Sequence, residues 1–312
     1  VKEHTVSITV VGSIALDSVE TPYGKCELEL GGAATYFSIS ASFFTHVNMI
    51  GVIGTDFPRE YIQILKSRNI NIDGLKQVEG KTFRWSGRYH KDINQRDTLD
   101  TQLNVFETFK PIISKEISQV PYLFLGNINP SLQLDVLRQA FPRFTGMDTM
   151  NLWIETTPDD LQEVLSRVDI LFINDSEARQ LSGEENLKKA SREILALGPD
   201  VLIIKKGEHG SIVFFEDDDS FMLPAYLLED VVDPTGAGDS FAGGFMGYIA
   251  YRNSTDPETL RQATVVGTVI ASFTCESFGP RRLLSLTGEE LKNRCYEFIQ
   301  QTRIQDLPQF PF

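Results

Sequence analysis

From Tyr122 onward the sequence alternates short apolar runs with amphipathic stretches, and this pattern restricts the fold more than any other feature. Tyr122 to Leu125, Phe144 to Asp148, Val168 to Ile173 and Val201 to Lys206 read as buried strands. Leu132 to Phe141 and Pro158 to Ser166 read as the helices between them. Such alternation predicts a mainly parallel sheet flanked by helices. The strand ends carry polar clusters: Gly126-Asn127-Ile128-Asn129-Pro130, Asp148-Thr149-Met150-Asn151 and Asn174-Asp175-Ser176-Glu177. Open α/β sheets bind ligands beyond the carboxyl ends of their strands, so these clusters are candidates for a site. The turn Gly207-Glu208-His209-Gly210 leads into a strand over Ser211 to Phe215, and a further strand is expected around Leu228 to Val232, placing Asp233 at its end.

The first strand is expected over Thr5 to Gly12, running into Gly12-Ser13-Ile14-Ala15-Leu16-Asp17. This is not G-x-G-x-x-G, so a dinucleotide-binding fold loses its main support. Asp17 falls where a ligand would sit, or serves as a turn residue. Gly31-Gly32-Ala33-Ala34 opens a helix through Phe44, and a strand follows over Val47 to Gly54. A glycine pair at a helix start lets a ligand approach the backbone closely. Two stretches, about Thr21 to Leu30 and Thr82 to Phe109, alternate apolar and polar residues. The second, with Phe83, Trp85, Gly87, Tyr89, Leu103, Val105 and Phe109, reads as two strands around a polar hairpin.

The chemistry concentrates in Asp233 to Met246, D-P-T-G-A-G-D-S-F-A-G-G-F-M. Two glycines precede a helix expected from about Ser240, a combination whose unpaired N–H groups and dipole make an anion site. Asp239 at its mouth would repel a bound anion, which points to a carboxylate that handles a proton, as in phosphoryl transfer to an alcohol. The plainer reading is a helix cap after turn glycines. Asn174 and Glu177 likewise read either as a helix N-cap with a first-turn acid or as oxygen groups suited to Mg²⁺.

The fourteen residues from Asp233 to Met246 resemble the C-terminal signature of the PfkB carbohydrate kinases, the ribokinase-like family, and the resemblance extends over nearly the whole chain. It implies a three-layer α/β/α sandwich with a mainly parallel central sheet, one domain over residues 1–312, and a small β-sheet lid from segments about 18–30 and 82–109. It implies transfer of the γ-phosphoryl group of ATP to a hydroxyl, a hydroxymethyl group of a sugar, with Asp239 as base. The Gly236, Ala237 and Gly238 N–H groups would stabilise the developing charge. Asp17, Gly31, Gly32 and Tyr36 are the implied substrate contacts, and the strand-end residues Asn127 and Asp148 join them. Asn174 and Glu177 match the family's N-x-x-E motif, which helps place Mg²⁺ and the phosphates.

For ATP the candidates are Asn174, Lys206, Gly207, Gly210, Gly267 and Gly279. Only one of Lys205 and Lys206 can face the phosphates, since adjacent strand residues point to opposite sides. The helix expected over Arg261 to Cys275 would form one wall of the adenine pocket. Several family members hold a monovalent cation beside the aspartate matching Asp233, so K⁺ is an implied ligand there. Two departures stand out. Gly279-Pro280 replaces the usual G-A turn, and Tyr36 replaces an asparagine in the sugar pocket. A phenol there could stack on a base, which makes a nucleoside kinase the alternative. A non-catalytic ligand-binding regulator on the same scaffold is the reading from another class.

Composition sets outer limits. The net charge of -14, from 43 acidic and 29 basic residues, argues against nucleic acid or an anionic membrane as partner. It also requires that ATP be met by a local positive site or by metal. Cys26, Cys275 and Cys295 are odd in number and show no metal-ligand spacing, as expected of free thiols in a reducing cytoplasm. No apolar run approaches the roughly 20 residues of a membrane span. Val1-Lys2-Glu3-His4 does not read as a signal peptide, and its lack of Met suggests a trimmed or incomplete start. Exposed lid edges commonly need covering, so a homodimer through the lid is expected.

Overall fold

The computed structural model describes residues 6–303. Thr5, the expected start of the first strand, and Val1 to His4 lie outside them. The chain begins β1 (Ile8–Val11), β2 (Ala15–Thr21), β3 (Gly24–Gly31), α1 (Ala33–Ala41), β4 (Val47–Gly54), α2 (Arg59–Lys66) and β5 (Ile70–Val78). The strands β6 (Phe83–Tyr89) and β7 (Arg96–Gln102) come next, then a 3-10 turn over Asn104–Thr108 and the short α3 (Lys115–Ser118). A regular alternation follows: β8 (Tyr122–Leu125), α4 (Pro130–Leu137), β9 (Phe144–Asp148), α5 (Asn151–Thr156), α6 (Pro158–Leu165), β10 (Ile170–Asn174), α7 (Asp175–Ser182), α8 (Leu187–Leu195) and β11 (Val201–Lys205). The hairpin β12 (Ser211–Phe215) and β13 (Ser220–Leu223) precedes four closing helices, α9 (Ala237–Arg252), α10 (Pro257–Thr274), α11 (Arg281–Ser285) and α12 (Gly288–Thr302).

Nine strands form one sheet in the order β13-β12-β11-β10-β9-β8-β1-β4-β5. Its pairs are parallel from β11 to β5, and only the β11–β12 and β12–β13 pairs are antiparallel, which leaves β12 alone reversed. The strands are apolar throughout because both faces are covered. Tyr122, Phe124, Ile170, Phe172 and Ile203 face a core shared with α1, α9 and α10, while Leu123, Leu125, Leu171, Ile173 and Leu202 face a second core shared with α4, α6 and α8. This alternation across each strand produces the three layers. A separate four-stranded sheet, β3-β2-β6-β7, forms the lid; in it β2 and β6 pair in parallel.

The small residues of α9 set how closely its neighbours approach. A side chain at Gly243 would collide with the backbone of Phe37 on α1, and one at Gly244 would press on Ile270 of α10 at 3.0 Å. Adjacent glycines thus serve two helix contacts on different faces. Among the described residues no helix is long and apolar enough to cross a membrane.

Four expectations are corrected. Leu228 to Val232 forms no strand, because the β12–β13 hairpin already occupies that sheet edge; Val232 N–H instead donates to the Cys275 carbonyl at 2.8 Å. Leu103, Val105 and Phe109 lie in or beside the 3-10 turn, not in a strand. Asp17 lies within β2 rather than in the turn after β1. The helix expected from Ser240 begins at Ala237, which brings Asp239 into its first turn.

Candidate active site

The site is built where the carboxyl ends of the parallel strands meet α9 and the lid. Gly236 caps α9 at φ +77°, a left-handed conformation that glycine adopts without strain. Its missing side chain also matters, since a Cβ there would run into the Tyr36 ring. Among the described residues no side chain caps this helix. Ala237 N–H turns back to the Pro234 carbonyl at 3.0 Å, so it is not one of the open donors the sequence suggested. Among the described residues no protein acceptor meets the N–H groups of Gly236, Gly238 or Asp239. These three are the donors available to an anion.

Tyr36 departs furthest from expectation. It is only 1% exposed, and its ring packs beneath Gly236 as part of the main core. It offers no face for stacking on a base; it supports the anion loop from below. Gly31 and Gly32 likewise serve close packing. A Cβ on Gly31 would occupy the position of the Asp17 carboxylate, and Ser13 Oγ accepts the Ala33 N–H at 3.1 Å, fastening the start of α1 to the turn after β1. Burial is the main cause raising Asp17 to about 7, opposed by the Gly32 N–H and reinforced by Asp233 and Asp239.

Asp239 has no protein hydrogen-bond donor among the described residues, although its carboxylate is set deep among other groups. Burial first, then the Asp148 charge, pushes it up to about 7, while Lys205 and Arg96 pull the other way. Asp148 ends β9, where it meets Lys205 of β11 at 2.8 Å; the two side chains are 8% and 18% exposed. Lys205 Nζ lies 3.1 Å from where a side chain on Gly238 would begin. Burial works against the Lys205 charge, but Asp148, Glu177 and Asp239 outweigh it and hold the ammonium above the usual lysine range. Of the two lysines, Lys205 faces this cluster. The β10–β11 register sets Asn174 opposite Lys205, the last residue of β11, and Lys206 lies just beyond the strand, at the start of the turn over Gly207–His209.

Asn174 and Glu177 form a reciprocal capping box at the start of α7. Asn174 Oδ1 accepts the Glu177 N–H and Glu177 Oε2 accepts the Asn174 N–H, both at 2.8 Å. The plainer reading of this pair is therefore realised, yet Glu177 also lies against Asp148 and Lys205, and burial raises it to about 7. Its Oε1 takes no protein donor among the described residues. The side-chain oxygens of Asn174 and Glu177 suit Mg²⁺ reached through water, and among the described residues no cluster of three or more His, Cys, Asp or Glu side chains forms a ready cage.

The remaining candidates divide. Asp233 is 1% exposed and accepts from Thr235 N–H at 2.9 Å and Gly279 N–H at 3.3 Å, so it ties the two turns together. Gly207 and Gly210 bracket the turn after β11. Asn127 accepts the Trp153 indole N–H at 2.9 Å. Gly267 lies inside α10, where a Cβ would sit 2.8 Å from the Phe241 carbonyl, so it permits the close contact with α9. Sequence reasoning missed Arg96, whose charge reaches Asp17, Glu177 and Asp239 from the lid. A single arginine in a polar hairpin gave no signal.

Comparison with known proteins gives this geometry a setting. The pfkB family carbohydrate kinase profile matches residues 7–285. The cytidine kinase of Thermococcus kodakarensis is 33% identical over 249 residues, covering 77% of this chain and 87% of that protein. The nucleoside kinase of Methanocaldococcus jannaschii is 25% identical over 289 residues, covering 87% and 91%. The crystal structure of a Methanocaldococcus jannaschii nucleoside kinase, described as an archaeal member of the ribokinase family, superposes with a TM-score of 0.76 at 24% identity over 94% of this chain and 98% of that one. A ribokinase from Cryptococcus neoformans in complex with ADP gives 0.75 at 22% identity, covering 92% and 99%. With the family profile spanning the site from β1 to α11, the chain belongs to the pfkB family of carbohydrate kinases and is an ATP-dependent phosphotransferase acting on a hydroxyl group.

Proposed function

We infer that the acceptor is the hydroxymethyl group of a ribonucleoside, with Asp239 as the base. The observation that carries the catalytic part is the pairing of an Asp239 carboxylate that lacks a protein donor among the described residues with three N–H groups, in the same helix turn, that meet no acceptor among them. A hydroxyl placed between them donates its hydrogen bond to Asp239. As the phosphoryl group moves onto the acceptor oxygen, the proton passes to the carboxylate, and the Gly236, Gly238 and Asp239 N–H groups meet the phosphoryl oxygens as charge spreads over them. A carboxylate raised to about 7 is a better base than an ordinary aspartate, and general-base assistance is typically worth 10²–10⁴-fold. Asp17, across the site on β2, is placed to bind the ribose hydroxyls. Mg²⁺ bound with the nucleotide would neutralise phosphate charge, and Asn174 and Glu177 would meet it through water.

The nucleoside assignment moves ahead of the free-sugar reading because the cytidine kinase and nucleoside kinases are similar over most of this chain. By contrast, the ribokinase of Staphylococcus aureus, at 30% identity, matches only 41% of the chain. Stacking on Tyr36 plays no part, since that ring is buried. The test is ATP consumption with cytidine, uridine, adenosine, inosine and guanosine beside ribose and fructose, run with Asp239→Asn as control. Turnover with a free sugar well above every nucleoside would replace this assignment. Pairing of a second copy through the lid would use β7, exposed along its whole length; light scattering checks it.

A further inference from the structure

One face of the lid is turned toward the body of the protein, and its contacts identify it. Thr21 of β2 donates through Oγ1 to the Val232 carbonyl at 2.9 Å, and the Tyr89 hydroxyl of β6 accepts from Thr235 Oγ1 in the anion loop at 3.2 Å. β2 and β6 pair without interruption from Ala15 opposite Phe83 to Glu20 opposite Arg88. Side chains alternate along a strand, so Asp17, Val19 and Thr21 share this face with Trp85, Gly87 and Tyr89. Trp85 stands directly opposite Asp17.

The two strands flanking Asp17 offer different neighbours. On β3 it lies opposite Glu29, which is tied to the body by an ion pair with Arg281 of α11. On β6 it lies beside the Trp85 indole, which is partly exposed. A Cβ on Gly87 would fall 2.2 Å from the six-membered ring of that indole, so the ring extends along β6 and Gly87 leaves it room. The indole N–H reaches Thr98 Oγ1 of β7 at 3.4 Å. The Arg96 guanidinium lies 5.4 Å from the ring centre, against 3.5 Å for Arg294 on Phe273, where the cation closes over the ring. Arg96 therefore steadies the indole without sealing it. An anchored aromatic ring stands open beside the carboxylate assigned to the ribose hydroxyls.

We propose that the Trp85 indole is the platform on which the base of the nucleoside stacks, and that it is the residue by which this site prefers a nucleoside to a free sugar. The proposal rests on the nucleoside reading above and names the group that enforces it. Neighbouring strands lie about 4.8 Å apart, so a ribose held on Asp17 reaches the adjacent strand with the substituent at its anomeric carbon. Toward β3 that substituent would meet the Glu29–Arg281 pair, where an apolar ring strips water from charges. Toward β6 it meets the indole, which a flat base covers and an anomeric hydroxyl leaves wet. Every base has a π-face, so the platform favours nucleosides as a class and leaves the choice among bases to other groups. Trp85 touches no reacting atom; it sets specificity.

The test compares Trp85→Leu and Trp85→Phe in the full chain, with cytidine and adenosine as acceptors. Trp85→Leu keeps an apolar side chain and removes the π-face; it should raise the nucleoside KM on the order of 10- to 100-fold, the range of base–aromatic stacking, with kcat and the KM for ATP within a few-fold. Trp85→Phe should keep the nucleoside KM within a few-fold. Methyl β-riboside, a ribose without a base, should inhibit wild type and Trp85→Leu equally. The chain has two tryptophans, so fluorescence gives a second readout: either nucleoside should quench wild type, and most of the quench should vanish in Trp85→Phe, where Trp153 remains. An unchanged nucleoside KM in Trp85→Leu, or an undiminished quench in Trp85→Phe, overturns the proposal and leaves the nucleoside reading standing. Equal weakening toward methyl β-riboside and the nucleosides overturns it as a displacement of Asp17. If wild type turns over free sugars and no nucleoside, the acceptor reading fails and this proposal falls with it.

Discussion

Two helices begin at the same end of the sheet with an acid in the first turn, and they begin differently. At α7, Asn174 and Glu177 satisfy each other's backbone, as a capping box does. At α9, Gly236 replaces the capping side chain, Ala237 folds back on Pro234, and Asp239 bonds to no protein group among the described residues. A cap such as Asn174 stabilises a helix by about 1 kcal/mol, and α9 forgoes it. The α7 start is finished as structure, whereas α9 leaves its donors and its acid for a ligand.

Substitutions can break this contrast. The largest effect is expected from Asp239→Asn, which should lower kcat by about 10²–10⁴-fold while leaving ATP affinity within about twofold. Near-normal turnover would return Asp239 to the role of an ordinary first-turn acid. Gly236→Ala comes next. The left-handed backbone costs roughly 1–2 kcal/mol with a side chain, and the methyl group meets the Tyr36 ring, so activity should fall about tenfold or more. A mutant as active as wild type would show that the loop's shape is not set by this contact.

The raised acids make a pH prediction with two opposite arms. Asp239 must be ionised to act, so kcat/KM should fall about tenfold per pH unit below its titration near 7. Stability of the ligand-free protein runs the other way. Asp17, Glu177 and Asp239 bind protons more tightly folded than unfolded, so their contribution is complete below the ordinary carboxylate range and is lost as pH rises toward about 7. Thermal melts at pH 5.5 and 8 check the sign, and a higher Tm at pH 8 would contradict it. Asn174→Ala should be the mildest, costing about 1 kcal/mol and a Tm drop of a few degrees, with only a few-fold loss of activity. A loss rivalling that of Asp239→Asn would erase the distinction between the two helix starts.

Much of the sheet was legible because buried parallel strands have no polar face to blur the pattern. Tyr122–Leu125, Phe144–Asp148 and Ser211–Phe215 fall where the apolar runs put them. The edges were harder. β13 and the unpaired stretch before Asp233 carry similar mixed sequences, and only the vacancy or occupancy of a sheet edge separates them. In the site, Asp239 stood out because an acid beside an anion loop is electrostatically awkward. Lys205 needed strand register, and Arg96 needed a tertiary approach by the lid. Tyr36 misled because its chemistry suggests a ligand contact, while only depth shows that it is a support.

That support has a consequence for timing. With a rigid aromatic ring lodged between the core and Gly236, the anion loop has little room to sag when nothing is bound. Its donors keep their aim through an empty cycle, so the ordering that catalysis requires is done once, as the chain folds, and is not repeated at every turnover.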